Sequence, residues 1–316
     1  MARTTIALLG LGLWGQCLAR LFRSSGHQVQ GWSRRLGGDP GDCLSDADLL
    51  VSAVSMAALT SLAPRLSHVI PPGLPLVSCS KGITVDTLLT PLAVWRQFCP
   101  QARGLVLSGP NLSAELQQGL PAATVLSSNH TALAMELQHV LSSRQLRIYC
   151  NDDPRGTELA GALKNTMVIA AGVSDGLGLG SNAKASLLCR GLNEMGVVLG
   201  ALGGQPHTLY GLAGLGDLLA TANSPLSRNY RFGFELGRGK TPAAAEACCE
   251  GTVEGIPTTH AVVALAERHG FSVPIARQVL QLLEQHTTPA ESVASLMERN
   301  LRPETKLAAE VGLSSQ

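Results

Sequence analysis

The stretch "TTIALLGLGLWGQCLARLFRSSG", residues 4–26, decides the fold of the first half of the chain. It opens with a short, β-branched apolar run, as in a strand buried on both faces. The arrangement G-x-G-x-x-G follows, and then apolar residues at helical spacing. In a dinucleotide-binding unit, Gly10 would permit the turn, Gly12 would let the pyrophosphate approach the backbone, and Gly15 would let helix and strand pack closely. The alternative is an ordinary glycine-rich turn.

A second strand, "HQVQGWSRR", ends about twenty residues after the last of these glycines, where an NAD-binding fold usually has Asp or Glu for the ribose 2′-hydroxyl. This chain has Ser33, Arg34 and Arg35 there. A guanidinium pairs well with a 2′-phosphate, and the missing carboxylate removes the NAD-specific contact. We therefore expect NADP(H) to be preferred, with NAD(H) also accepted. The alternative is that both arginines are solvated surface residues.

Further strands are predicted within residues 47–55, 74–82, 103–110, 122–128 and 146–151. With helix-like segments between several of them, they predict a Rossmann-like doubly wound sheet, which is an α/β fold. Ligands on such sheets lie beyond the carboxyl ends of the strands, where this chain has Lys81 and the run "SGPN" at 108–111. Both are candidate site elements, although Lys81 could instead be a solvated loop lysine.

From Gly156 onward the strand patterns vanish, and the chain reads as helices separated by Gly, Pro and Ser. The turn-rich junction "NDDPRG" separates a predicted cofactor-binding domain, residues 1–153, from a predicted all-α domain, residues 154–316.

Lys164 is the only ionisable residue between Glu158 and Asp175 in an otherwise apolar run. A helix this apolar is expected to be buried. Two interpretations compete for the lysine: its ammonium reaches the surface along its apolar stem, or it faces a cleft. Because burial disfavours the charged form of a lysine, a cleft lysine beside a cofactor could donate a proton near neutral pH.

Three other stretches of the second half stand out. Asp217 lies in the apolar, glycine-rich run "YGLAGLGDLLAT", where a carboxylate needs a partner or caps a helix. The triplet Ser227, Arg228 and Asn229 suits a helix start that gathers an anion. The glycines of "DGLGLGSNAKASLL" follow a helix rather than a strand, which argues against a second dinucleotide site and predicts a helix capped by Ser181 or Asn182.

Composition excludes several classes of protein. The chain has 316 residues, of which 45% are hydrophobic, and a formal net charge of +1 with scattered basic residues, so nucleic-acid binding is not expected. No uncharged apolar run reaches the roughly 18 residues that a membrane span requires. The eight cysteines include no C-x-x-C pair and no metal-ligand spacing, so we expect a reducing cytoplasm and no metal site. For the adjacent Cys248 and Cys249, buried or neutral thiols are the expectation.

Several of these stretches together resemble the NAD(P)-dependent glycerol-3-phosphate dehydrogenase family of bacteria and plastids. The runs "ELAGALKNTMVIAAGVSDGLGLGSNAKASLLCRGLNEM" and "LYGLAGLGDLLATANSPLSRNYRFGFELGRG" resemble its two long signatures. The shorter runs "GLGLWG", "SCSKGI", "LSGPN" and "GTVEGIPTT" follow in the family's order. The resemblance covers nearly the whole chain and implies a two-domain plan similar to that of 6-phosphogluconate dehydrogenases.

The resemblance implies roles at matching positions. Lys164 would be the catalytic acid and base, with Lys81 and Asp217 beside the reacting groups. The substrate-binding residues would be Lys81, Gly109, Asn111, Lys164, Asp217, Ser227, Arg228 and Asn229. The cofactor-binding residues would be Gly10, Gly12, Leu13, Trp14, Gly15, Arg34, Arg35, Lys81, Ser113, Arg228, Thr252 and Glu254.

The chain also departs from the family pattern. The segment "RRLGGDPGDCLSDADLL" is shorter than usual, so the adenosine end of the cofactor site is expected to be more open. Asn111 and Leu112 replace a hydroxyl residue and Phe, and Ser55 replaces a proline. None of these changes touches Lys164, Asp217 or Arg228.

The implied reaction is reduction of dihydroxyacetone phosphate to sn-glycerol 3-phosphate, and its reverse, feeding glycerophospholipid synthesis. One alternative is another two-domain hydroxyacid dehydrogenase of the ketopantoate or 6-phosphogluconate type. A second is a non-catalytic NADP(H)-sensing protein. The sequence is compatible with a homodimer but does not determine the oligomeric state.

Overall fold

The computed structural model describes residues 3–300 of the chain. They divide into two compact units, which are considered separately below. The first unit contains the chain up to Lys81 together with Leu89–Glu158, and the second contains Gly82–Leu88 together with the chain from Leu159 onward. The domain boundary expected after residue 153 remains a prediction, and residues 1–2 and 301–316 of the expected domains lie outside the described residues.

The first unit is an α/β unit. Its strands and helices, in chain order, are β1 Thr5–Leu9, α1 Leu13–Ser24, β2 Gln28–Trp32, β3 Leu49–Ser52, α2 Met56–Leu66, β4 Pro75–Ser78, α3 Pro91–Phe98, β5 Arg103–Ser108, α4 Ser113–Gln117, β6 Ala122–Ser127, α5 Thr131–Leu141 and β7 Leu146–Asn151.

All seven strands belong to one sheet of order β2-β1-β3-β4-β5-β6-β7. Neighbouring strands are parallel except β5 and β6, which are antiparallel. Because the chain leaves β1 for β2 on one side and returns to β3 on the other, the carboxyl end of β1 lies at a topological switch point. The glycine turn predicted from the sequence directly follows that end.

Helices cover both faces of this sheet, as a doubly wound fold requires. Ile6 and Leu8 of β1 pack in one core with residues of α1 and α5. Ala7 and Leu9 face the opposite core, which contains residues of α2 and α3. Successive side chains of a strand point to opposite faces, so a strand buried on both faces has no polar alternation. The prediction of a buried strand from the apolar run of β1 is therefore confirmed.

Within the described residues the second unit contains helices and no strand. Their bounds are α6 Pro154–Gly176, whose first turn precedes Leu159, α7 Gly180–Ala201, α8 Asp217–Ala222, α9 Arg228–Gly237, α10 Pro242–Ala247, α11 Gly255–His269, α12 Pro274–Leu283 and α13 Pro289–Met297. A π-helical turn, Leu212–Gly216, leads directly into α8. No helix in this described part of the chain is both long and apolar enough to cross a membrane.

Glycines let α6 and α9 approach each other to backbone contact. A Cβ at Gly172 of α6 would stand 2.2 Å from the Tyr230 carbonyl oxygen, and a Cβ at Gly233 of α9 would stand 2.0 Å from the Ile169 carbonyl oxygen. Gly176 and Gly237, each four residues further along, are equally confined. Because residues four apart share a helix face, each helix presents a glycine stripe to the other.

A buried glutamate caps the start of another helix in each unit. Glu158 accepts a hydrogen bond of 2.6 Å from the Leu92 backbone N–H at the start of α3. Glu194 accepts bonds of 2.8 and 2.9 Å from the N–H groups of Ile275 and Ala276 at the start of α12. Both helices begin at proline and have no side-chain cap of their own. These carboxylates therefore satisfy amide groups that every helix leaves open at its start.

One local prediction was wrong. Neither Ser181 nor Asn182 caps α7, because the helix already begins at Gly180 after Leu179. For Cys248 and Cys249, where buried or neutral thiols were expected, Cys248 is exposed and Cys249 is half-buried, and the neutral state of the thiols stays a prediction.

Candidate functional site

The glycine turn after β1 has the geometry that its three glycines predict. Gly10 has a φ of +94°, and a Cβ there would stand 2.7 Å from the Ala53 carbonyl oxygen. A Cβ at Gly15 would stand 1.8 Å from the Gly10 carbonyl oxygen, so only glycine allows α1 to lie this close to the turn. By contrast, no heavy atom of the described residues lies within 4 Å of a Cβ built at Gly12.

Gly12 is also the N-cap of α1, and no side chain caps the helix. The first amide groups of the helix are therefore available to an anion, and the open space at Gly12 lets that anion approach the backbone. Leu13, at the first helical position, is 61% exposed, and Trp14 beside it is half-buried. This helix start fits the pyrophosphate end of a dinucleotide, because its amide groups are uncapped, the space at Gly12 is open, Leu13 is exposed and Trp14 is half-buried.

Arg34 and Arg35 lie in the turn that directly follows β2, and both are exposed. The hydroxyl of Ser33 accepts a weak hydrogen bond of 3.4 Å from the Leu36 backbone N–H, which closes this turn. Within residues 3–300 neither guanidinium forms an ion pair. Exposure is compatible with both alternatives drawn from the sequence, a 2′-phosphate contact and a solvated surface.

Lys81, Gly109 and Asn111 lie together at the carboxyl ends of β4 and β5. The half-buried Lys81 donates a hydrogen bond of 3.1 Å from Nζ to the Gly109 carbonyl oxygen. Asn111 Nδ2 donates to Thr124 Oγ1 at 3.0 Å, and that hydroxyl donates to the Ser108 carbonyl oxygen at 2.8 Å.

This corner, formed by Lys81, Gly109 and Asn111, also contains a hydrogen-bond acceptor that no donor within residues 3–300 reaches. Asn111 Oδ1 is buried and accepts no hydrogen bond from the described residues. A buried amide oxygen without a donor carries a desolvation cost that a bound donor would remove. Ser113 begins α4 two residues further on. The corner around Lys81 therefore combines a cation with an acceptor that has capacity for a ligand.

In the second unit Lys164 lies near the middle of α6 and is only 4% exposed. Its ammonium is 3.4 Å from Asp217 Oδ1 and donates a hydrogen bond of 3.3 Å to Thr221 Oγ1. Asp217 itself is 1% exposed. The alternative in which the ammonium reaches the protein surface is therefore wrong. A buried ammonium needs a counter-ion, and Asp217 supplies it.

Asp217 and Thr221 are the first and fifth residues of α8, so they share one helix face. The Thr221 hydroxyl donates to the Asp217 carbonyl oxygen at 2.6 Å while it accepts from Lys164. Asp217 lies in the first turn of the helix, as the capping alternative required, yet its carboxylate pairs with the lysine. Thr221 was missed from the sequence, where its only signal is the spacing of four from Asp217.

A buried amide network joins α6, α9 and α11. Asn229 Nδ2 donates to Asn165 Oδ1 at 2.9 Å, and Asn229 Oδ1 accepts from the Gly255 backbone N–H at 2.9 Å. Since Asn165 directly follows Lys164, this network ties the start of α9 to the helix that carries the lysine. Asn229 was expected to bind substrate, and the structure gives its side chain these internal partners.

The start of α9 presents Arg228 to solvent. Ser227 is the N-cap, and its hydroxyl accepts from the Tyr230 backbone N–H at 3.3 Å. Arg228 is exposed, and a Cβ built at Gly251 would stand 2.9 Å from its Nη1. The segment after Gly251 carries the exposed Thr252 and the half-buried Glu254, so these predicted contact residues lie in the same part of the second unit.

The candidate residues thus form two groups, each within one unit. The first unit holds the glycine turn, the two arginines and the corner around Lys81. The second holds the Lys164 and Asp217 pair, the start of α9 and the segment from Thr252 to Glu254. Within residues 3–300, no group of three or more His, Cys, Asp or Glu side chains could hold a metal ion.

Two family models match the chain. Residues 35–134 match the model described as the NAD-dependent glycerol-3-phosphate dehydrogenase N-terminus, and residues 153–294 match that of the C-terminus. A relative from Synechococcus sp. (strain RCC307), named glycerol-3-phosphate dehydrogenase [NAD(P)+], is 48% identical over 300 residues, covering 95% of this chain and 99% of the relative.

Solved structures agree with these matches. The crystal structure of glycerol-3-phosphate dehydrogenase from Coxiella burnetii superposes with a TM-score of 0.90 at 33% identity, covering 94% of this chain and 99% of that one. A ketopantoate reductase from Ralstonia eutropha JMP134 reaches a TM-score of 0.57 at 15% identity, covering 91% of this chain and 99% of that one, which shows a shared fold alone.

Proposed function

Because the chain belongs to the NAD-dependent glycerol-3-phosphate dehydrogenase family, we propose that it reduces dihydroxyacetone phosphate to sn-glycerol 3-phosphate and catalyses the reverse reaction. The observation that carries this proposal is the buried Lys164 ammonium, held by the Asp217 carboxylate and the Thr221 hydroxyl. Such an ammonium is suited to a reaction in which a carbonyl oxygen gains negative charge.

Lys164 acts as the general acid in the reduction. As the carbonyl carbon is reduced, its oxygen becomes alkoxide-like, and the ammonium stabilises that charge and transfers a proton to the oxygen. In the reverse direction the neutral amine accepts the hydroxyl proton. Asp217 orients the ammonium, because its Oδ1 lies 3.4 Å from Nζ. Lys81 supplies a second cation for the substrate.

The start of α9 binds the phosphate end of the substrate. The helix N-terminus and the exposed Arg228 guanidinium both attract an anion, and Ser227 completes the cap. The amide network through Asn229 and Asn165 holds this helix start at a fixed position relative to Lys164. Binding of the phosphate therefore fixes the position of the carbonyl group, so phosphate affinity contributes to turnover as well as to binding.

The residues of the glycine turn fit a nicotinamide dinucleotide, since Gly12 leaves open the space that a Cβ would fill. When bound, the cofactor supplies the hydride. Arg34 and Arg35 recognise the 2′-phosphate of NADP(H), which makes it the preferred cofactor, and NAD(H) is accepted less well. The remaining cofactor contacts are made by six further residues, namely Leu13, Trp14, Ser113, Arg228, Thr252 and Glu254.

The product is the backbone precursor of glycerophospholipids, so the enzyme feeds their synthesis. We place it in the cytoplasm, a reducing compartment compatible with its free cysteines. A homodimer is the assembly we propose.

The test is NADPH oxidation with dihydroxyacetone phosphate, run beside the same assay with Lys164→Met. Turnover by the wild type and its loss in a folded variant are the expected results. Binding of NADPH without turnover on any phosphorylated ketone would contradict the proposal and identify a non-catalytic sensor. Turnover of ketopantoate in preference to the triose would contradict the substrate assignment.

A further inference from the structure

Cys248 and Cys249 follow α10 directly and lie apart from the groups to which the reaction has been assigned. Cys248 is exposed and Cys249 is half-buried. Two adjacent thiols with different environments are suited to sequential thiol–disulfide chemistry, in which one attacks and the other resolves.

The charges around the pair distinguish the two thiols. The Lys240 ammonium is 3.2 Å from Cys248 Sγ and is also paired with Glu235 at 2.8 Å. The ammonium thus lies beside the more exposed of the two sulfurs, which a disulfide in solution can reach. Burial raises the pKa of the Cys249 thiol, and Arg231 and Arg228 lower it less than burial raises it, while Cys248 and Glu246 raise it further. Cys248 is therefore the thiol that reacts first.

Cys249 links this pair to the start of α9. Its Sγ contacts the Arg228 carbonyl oxygen at 3.6 Å, besides the Ala245 carbonyl oxygen at 3.6 Å. Two residues further on, Gly251 has a φ of +91° and lies against the Arg228 guanidinium. The segment from Cys249 to Gly251 thus contacts Arg228 at two points, its carbonyl oxygen and its guanidinium.

We propose that Cys248 and Cys249 are a reversible thiol–disulfide site, oxidised by a low-molecular-weight disulfide. The Cys248 thiolate attacks one sulfur of the disulfide, forms a mixed disulfide and releases one thiolate. The Cys249 thiolate then attacks Cys248 Sγ and releases the second thiolate. The two protein thiols lose two electrons and two protons, and the disulfide is reduced to two thiols.

The product disulfide is strained and so is easily reduced. Adjacent Cα atoms across a trans peptide are about 3.8 Å apart, below the roughly 4.4–6.8 Å usual for disulfides. Strained, exposed disulfides have the more oxidising potentials that are typical of reversible sites. Closing the bond also removes the S–H group through which Cys249 donates to the Arg228 carbonyl oxygen.

Oxidation therefore weakens binding of the substrate phosphate, an expectation that rests on the role proposed above for Arg228. We expect the KM for dihydroxyacetone phosphate to rise about tenfold, the effect of misaligning one charged hydrogen bond. The kcat should fall as well, because the phosphate positions the carbonyl group, but by less than the KM rises, because Lys164 and Asp217 have no part in the chemistry of the disulfide.

The experiment treats the full chain with hydroxyethyl disulfide, then measures peptide masses and kinetics before and after dithiothreitol. The expected result is a loss of about 2 Da in the peptide that contains both cysteines. Cys248→Ser should abolish this loss, and Cys249→Ser should trap the mixed disulfide at Cys248. Cys189→Ser, which removes another exposed thiol, is the matched control and should behave as the wild type.

Two results would overturn the proposal. One is a wild-type mixed disulfide that never resolves, which excludes the pair as a disulfide site. The other is the loss of about 2 Da with an unchanged KM, which excludes the link to Arg228. Absence of triose turnover in the reduced enzyme would instead contradict the proposed function, while the peptide masses would still decide whether the disulfide forms.

Discussion

The two units position their candidate residues by different physical means. In the first unit the backbone forms most of the candidate site, which consists of a glycine turn, an uncapped helix start and strand ends. In the second unit buried side chains position one another, as with Lys164, Asp217 and Thr221. The glycine turn depends on the absence of side chains at Gly10 and Gly15, whereas the buried charge pair depends on the presence of both its members.

The largest effect is expected at the buried pair. Lys164→Met should lower kcat about 100- to 10 000-fold, because the proton donor is lost. The same change leaves the Asp217 carboxylate buried without its counter-ion, at a cost of about 3–5 kcal/mol of unfolding free energy. The double variant Lys164→Met/Asp217→Asn removes that charge and should recover stability but not turnover, as measured by urea unfolding and steady-state kinetics.

Lys184→Met is the matched control for this change. Lys184 also lies on a helix of the second unit and pairs with Asp175 at 2.7 Å, but it is outside the proposed site. Its kcat should stay within about twofold of wild type. Near-full turnover of folded Lys164→Met would show that another group donates the proton.

The start of α9 should respond differently, because Arg228 is exposed. Arg228→Ala is expected to raise the KM for dihydroxyacetone phosphate about 10- to 100-fold, with little loss of stability, since charged hydrogen bonds to phosphate are lost. Arg238→Ala, at the other end of the same helix, is the control. An unchanged KM in Arg228→Ala would remove the phosphate role from this residue.

Two glycines of the glycine turn have different roles, because Gly15 allows α1 to pack closely and Gly12 leaves space for the cofactor. Gly15→Ala should destabilise the fold by about 1–3 kcal/mol, because its Cβ would overlap the Gly10 carbonyl oxygen. Gly12→Ala should cost only about 0.5–1 kcal/mol of stability, because alanine is a poorer N-cap than glycine, and should weaken cofactor binding, because its Cβ would occupy open space. Thermal unfolding and NADPH titration check both. Equal cofactor affinity in Gly12→Ala and wild type would count against a pyrophosphate at this turn.

A smaller effect is expected when the two arginines proposed to select NADPH are replaced. Replacing Arg34 and Arg35 by Gln should reduce the preference for NADPH over NADH about tenfold, because the 2′-phosphate loses its charged partners. The ratio of the two kcat/KM values measures it. An unchanged ratio would mean that both side chains are solvated surface residues.

The smallest effect on turnover is expected from the two capping glutamates, one in each unit. Replacing them should change how the free energy of unfolding depends on pH. Burial raises the pKa of Glu158 and of Glu194 from 4.5 to about 7. The folded protein thus holds protons that the unfolded chain releases near pH 4.5, so this contribution to stability is full below that pH and is lost as the pH rises through about 7.

Glu158→Gln and Glu194→Gln should each flatten the decline in unfolding free energy between about pH 5 and pH 8, since a neutral amide has no such dependence. Urea unfolding at the two pH values measures the slope. Glu291→Gln is the control, because its exposed carboxylate has a pKa below its usual range. If both Gln variants keep the wild-type decline of unfolding free energy with pH, other titrating groups cause that decline.

The glycine turn and the buried lysine are predictable from the sequence alone, for related reasons. Three glycines at set spacing after a buried strand are typical of a dinucleotide-binding turn, and a lone ammonium in an apolar helix requires a partner. The helix start at Ser227 and Arg228 is predictable too, because capping is a local property.

Other features depend on contacts between residues remote in sequence. Thr221 accepts a hydrogen bond from Lys164, which is 57 positions away, and the Gly255 N–H donates one to Asn229, which is 26 positions away. Glu194 caps a helix that begins 80 residues later, and nothing near Glu194 in the sequence indicates that role. The glycine stripes of α6 and α9 have a visible spacing of four, but the partner of each stripe depends on how the helices pack.

The sequence by itself thus determined the class of fold, the glycine turn after β1 and the identity of the buried ammonium, since each depends on periodicity or on residues close in the chain. Only the tertiary structure decided that Asp217 neutralises Lys164, that Asn229 bonds inward and that Cys249 contacts the backbone of Arg228. Those pairings depend on distances between elements far apart along the chain, and such distances are set by packing of whole helices rather than by local preference.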